Sequence, residues 1–88
     1  MKILVHFQIP EDGRELFNAF EDHVLPLLTK HGGQFIDQFI SKTGDEEFHI
    51  IEFPNQQSLE AYQSDPDRIA ALPLWEQSDA TSRIVQLA

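Results

Sequence analysis

Between Glu47 and Leu74 the chain reads as an apolar strand followed by a helix that is interrupted and restarted, and prolines set the breaks. The strand from Glu46 to Phe53 runs into Pro54, which has no amide proton to extend a ladder. Asn55 then carries a side chain suited to cap a helix with Leu59, Ala61 and Tyr62 on it. Asp65-Pro66 ends that helix and opens another, because proline fits a first helical position. In the new segment Ile69, Leu72 and Trp75 give the apolar side, and Pro73 is expected to shorten or bend it.

The rest of the chain fits around this stretch. From Lys2 to Ile9 the residues alternate, with Ile3, Val5, Phe7 and Ile9 on an apolar face and Leu4, His6 and Gln8 on a mixed one. That pattern predicts a strand with one face on a core. Asp12-Gly-Arg-Glu15 has the spacing of a capping box, so Asp12 is expected to cap a helix. Leu16, Phe17, Phe20, Val24, Leu27 and Leu28 recur at helical steps, with Pro26 as a kink and Gly32-Gly33 as the stop. Gln34 to Lys42 is a second strand, Thr43-Gly-Asp45 a hairpin turn, and Ser82 to Leu87 a last strand.

The order β-α-β-β-α-β predicts an α+β fold, the ferredoxin-like sandwich, as a single domain over residues 1–88. Its four-stranded antiparallel sheet carries helices on one face only. The second strand has apolar residues on both faces, and the third sets Phe48 and Ile50 opposite Ile51 and Phe53. In so short a chain a second copy is the simplest cover for the other face, so a homodimer is expected.

Charge and composition exclude several roles. Fifteen acidic against six basic residues give a formal charge of −9, which repels phosphate backbones and anionic lipid. Nucleic acid and membrane are therefore not expected partners. Cysteine is absent, which removes thiolate chemistry and thiolate metal sites. Histidine spacing gives no metal motif, no cofactor is implied, and a cytoplasmic location is the default expectation.

His31-Gly32-Gly33 after Leu25-Pro-Leu-Leu28, Ile50-Ile-Glu-Phe-Pro54, Leu59 to Tyr62, Ser64-Asp-Pro66 and Leu72-Pro-Leu74 together resemble one branch of the dimeric α/β-barrel superfamily. That branch consists of small bacterial proteins known as a domain of unknown function. The resemblance spans nearly the whole chain and implies a ferredoxin-like protomer that pairs its sheet with a twin to close an α/β barrel. Relatives in the wider superfamily include cofactor-independent monooxygenases, muconolactone isomerases, stress-responsive barrels and haem-binding peroxidases. The branch has no established catalytic residues to transfer.

The expected function is accordingly a monooxygenase-like or isomerase-like reaction on a small hydrophobic or aromatic molecule. The alternative is a small-molecule-binding or stress-related barrel without turnover. His6 and His49 are the candidate bases, because imidazole titrates near neutral pH. Gln8, with either His49 or Glu52 according to register, would orient a ligand beside His6. Tyr62 and Trp75 read as core or as an aromatic wall for a flat ligand, and Arg83 as a salt-bridge partner or an anion contact. His23 and His31 are two helical turns apart, and His31 is placed to complement the helix dipole.

Overall fold

The computed structural model describes all 88 residues. Four strands, β1 (Lys2–Gln8), β2 (Gln34–Ile40), β3 (Glu46–Glu52) and β4 (Thr81–Leu87), form one antiparallel sheet in the order β2-β3-β1-β4. Helices α1 (Arg14–Val24), α2 (Gln56–Gln63) and α3 (Pro66–Ser78) connect them and pack on one face. This is the ferredoxin-like sandwich expected from the element order.

Alternation sorts the side chains. Ile3, Val5 and Phe7 of β1 and Ile51 of β3 meet Phe17, Leu28, Leu59 and Tyr62 in the main core. Phe20, Val24 and Ala71 form a second cluster where α1 crosses α3, and Trp75 packs against both. The crossing is close at Gly13, where a Cβ would lie 2.0 Å from the Ser78 carbonyl oxygen, so only glycine fits there.

Several local expectations need correction. Asp12 caps nothing; Glu11–Gly13 is a 3₁₀ turn leading into α1, and no side chain bonds the free amides. Pro26 sits in a 3₁₀ turn, Leu25–Leu27, after α1 has ended, so it does not kink the helix. Pro73 does not shorten its helix: α3 runs through it to Ser78. Ile69 is half exposed, and Ala71 with Leu72 and Trp75 supplies the packed side instead. Asn55 and Asp65 do cap α2 and α3, accepting from the amides of Ser58 and Asp67.

The two central strands β1 and β3 carry the sheet's buried residues, and neither edge strand, β2 or β4, has any. β2 is exposed at every residue, and its pairing with β3 slips at Ile36. The helices do not reach over it, which leaves a cleft between α1 and the β2–β3 hairpin.

The opposite face has no helix on it. The register sets Phe39, Phe48, His6 and Arg83 in one row across all four strands, with Ile50, Leu4 and Val85 in the next. His6 stacks on Phe48, ring centroids 4.5 Å apart and nearly parallel. No helix of the chain is long and apolar enough to cross a membrane.

Candidate functional site

The two histidines proposed as bases lie on opposite faces of the sheet. His6 sits on the uncovered face, where its Nε2 bonds Glu46 Oε1 at 2.9 Å. His49 points under the helices and is only 1% exposed. The strand register pairs His6 with Phe48 and Val5 with His49, so alternation separates the histidines. Glu52 shares the face of His6 but pairs with Lys2 at the other end of the strand. The expected grouping of His6 and Gln8 with His49 or Glu52 therefore does not form; Glu46, opposite Gln8, is the carboxylate beside His6.

The other candidates are also dispersed. Tyr62 is buried and its hydroxyl donates to the Val24 carbonyl at 3.3 Å. Trp75 packs against Phe7, Phe17 and Phe20, a core position that gives it no part in the cleft. Arg83 stands beside His6 on the uncovered face, on the edge strand β4. His23 bonds the carbonyl of Ala19. His31 bonds Asp65 Oδ2 at 2.6 Å, which ties the turn after α1 to the start of α3.

Polar chemistry concentrates instead around Glu47. Its side chain shares the helix-facing side of β3 with His49 and Ile51 and is 3% exposed. Glu47 Oε2 accepts from His49 Nε2 at 2.6 Å and from Gln38 Nε2 at 3.0 Å, while Oε1 accepts from Arg14 at 2.8 Å. Burial opposes the charge on Glu47, yet the bonds from Arg14, His49 and Gln38 together hold its carboxyl below the ordinary value. Burial lowers His49 despite its anionic partner, so at neutral pH the imidazole is uncharged and its Nε2–H is the donor.

Glu21 is the second member of the site. It lies on the buried stripe of α1 between Phe17 and Val24 and is 8% exposed. Its Oε1 is buried with no hydrogen-bond partner. Burial, with the negative charge of Glu47 adding to it and Arg68 opposing, raises its carboxyl from 4.5 to about 8. Glu21 and Glu47 both line the cleft beside α1, about 640 Å³ in volume, with Arg14, Asp22, Leu25 and Ile40 also on its walls. That volume suits a small organic molecule.

Two carboxyls in one cleft thus have environments that separate their proton affinities in opposite directions. Sequence reading had a signal for each. Glu47 is two residues before His49 and so on its face; Glu21 follows Phe17 by four, inside the apolar stripe. No group of three His, Asp or Glu side chains converges as a metal site requires.

No protein-family model matches the chain, and no curated protein sequence does. Solved structures do. Rv0793 from Mycobacterium tuberculosis superposes with a TM-score of 0.75 at 14% identity, covering 99% of this chain and 93% of that one. An antibiotic biosynthesis monooxygenase gives 0.70 at 15% identity over 100% and 99%. An uncharacterized NIPSNAP domain protein from Burkholderia xenovorans gives 0.66 at 14% over 100% and 95%. At such identities the likeness is one of fold, and the fold it establishes is the small ferredoxin-like α+β domain that these proteins share with this chain.

Proposed function

We propose that the chain is an enzyme that moves a proton on a small, largely hydrophobic or aromatic molecule held in the cleft between α1 and the β2–β3 hairpin. The observation that carries this reading is the pair Glu21 and Glu47, raised and lowered in one cleft. Glu47, fixed by three donors, supplies a permanent negative charge. Glu21, with its affinity for a proton near neutral pH, takes the proton up and returns it. His49 keeps Glu47 in place from behind.

Proton transfer of this kind serves two reactions. An isomerase takes a proton from one carbon of an enolisable molecule and returns it to another, with no other reactant. A cofactor-independent monooxygenase forms the same carbanion and reacts it with dioxygen. The likeness in fold to an antibiotic biosynthesis monooxygenase supports keeping oxygenation in view. A homodimer through the uncovered face completes the proposal; the Phe39–Phe48–His6 row and Leu4, Ile50 and Val85 give that face its apolar surface.

A panel of quinols and enol lactones, followed by absorbance and oxygen uptake, tests it. Turnover should fall at least about 100-fold in Glu21→Gln, and the wild-type rate should show a pH limb near the Glu21 value, while His6→Ala should retain activity. Equal rates in wild type and Glu21→Gln would remove the proton-carrying role.

A further inference from the structure

The cationic donor of the cleft is already committed. Arg14, the one cation on its walls, gives its guanidinium to Glu47 and to the carbonyl of Gly44. Gln38 donates to Glu47 as well. An anionic ligand would therefore meet Asp22 and Glu47 with no free cation to hold it. Two buried polar atoms lack a partner: Arg68 Nε, which lies off the cleft walls, and, on a residue that lines the cleft, the acceptor Glu21 Oε1. A donor on the ligand satisfies it, and a charged donor does so most strongly. Leu25 and Ile40 offer apolar contact for the body of such a molecule.

We propose that the ligand of this cleft carries a protonated amine on an apolar body, and that the ammonium bonds the Glu21 carboxyl. The proposal rests on the cleft being the ligand site and names the class of molecule it takes. Bound in this way, Glu21 is a carboxylate and is placed to accept the proton that the reaction moves. The charged groups acting on Glu21 are Glu47 and Asp22, which favour an incoming cation, and Arg68, which opposes it. The net charge of −9 draws a cation toward the molecule as a whole. At neutral pH Glu21 holds its proton when the cleft is empty, so docking an ammonium must release it.

Benzylamine, benzyl alcohol and benzoate have one shape and three charges, so calorimetric titration with each separates charge from fit. At pH 7 benzylamine should bind at least about tenfold more tightly than benzyl alcohol, and benzoate should not bind. Repeating the amine titration in buffers of different ionisation enthalpy should show release of about one proton per ligand. Glu21→Gln, checked for an unchanged circular dichroism spectrum, should lose both the preference and the proton release. Equal binding of the three probes, or an amine preference that survives in Glu21→Gln, overturns the proposal. Amine binding with proton release but no turnover of any amine-bearing substrate would leave this inference standing and remove the enzymatic reading.

Discussion

His49 donates its Nε2–H to Glu47 Oε2 at 2.6 Å, and both side chains are buried beneath α1. The bond joins a neutral ring to an ion, so its two ends are not equivalent. Replacing Glu47 by Ala removes the acceptor of Arg14, Gln38 and His49 together and leaves a partly buried guanidinium without its carboxylate. Replacing His49 by Phe keeps an aromatic ring against Phe7 and Phe35 and leaves Glu47 two donors. Urea denaturation should show a loss of about 3–5 kcal/mol for Glu47→Ala and about 1 kcal/mol for His49→Phe. Equal losses would mean that packing, and not the ion, holds this corner.

Glu21 makes stability depend on pH in the opposite sense to a carboxylate held low by its partners, such as Asp65. Its value is 4.5 when unfolded and about 8 when folded, so between those limits the folded state holds the extra proton. Stability then falls as pH rises through that window, at up to about 1.4 kcal/mol per pH unit. Glu21→Gln cannot ionise and should flatten the decline, so that it is the more stable protein at pH 9. Thermal melts at pH 5, 7 and 9 check this, and parallel curves for the two proteins would contradict it.

Asp65 works at the acid end. It caps α3 through the Asp67 amide and accepts from Lys30 at 2.9 Å and His31 at 2.6 Å. The Lys30 and His31 bonds, with that amide, hold its carboxyl well below the usual carboxylate range. A depressed carboxyl stabilises fully above its unfolded value of 3.8 and loses that contribution as pH falls below it. Asp65→Asn should therefore lower the melting temperature at pH 7 and show less further loss between pH 4 and pH 2 than wild type. An identical acid limb in both proteins would remove the clamp.

The fold was legible because its signals are local and agree with one another. Alternation in β1, the Asn55 cap and the Asp65-Pro66 break each act within a few residues, and each is where the sequence puts it. Asp12 and Pro73 were misread for a tertiary reason. Tight packing of Gly13 on Ser78 sets the entry to α1, and the contacts of Leu72, Leu74 and Trp75 carry α3 past its proline. The site was less legible. His6 and His49 share a residue type, but the parity of the β1–β3 register divides them between two faces. Glu21 and Glu47 read as ordinary surface acids until the fold buries them. Two strands and a helix bring them to one cleft, and no short window of sequence contains that fact.

The uncovered face gives the last prediction. Ile50 lies near its middle, beside Leu4 on β1 and next to the row containing Phe48 and His6, and it does not touch the core under the helices. If this face pairs with a second copy, Ile50→Lys sets a charge against its own counterpart in a desolvated interface. Association should weaken by about 100-fold or more, while the protomer keeps its helical signal and most of its melting temperature. Light scattering on a sizing column reads the mass directly. Wild type should run at twice the chain mass and Ile50→Lys at the chain mass, the latter with little change in circular dichroism. A wild-type monomer at micromolar concentration would refute the pairing. Unfolding of Ile50→Lys would not decide the matter, and Val85→Lys, on the outer strand β4 of the same face, provides the second variant. Its edge strand tolerates a charge in the monomer, so loss of the dimer there can only come from the interface.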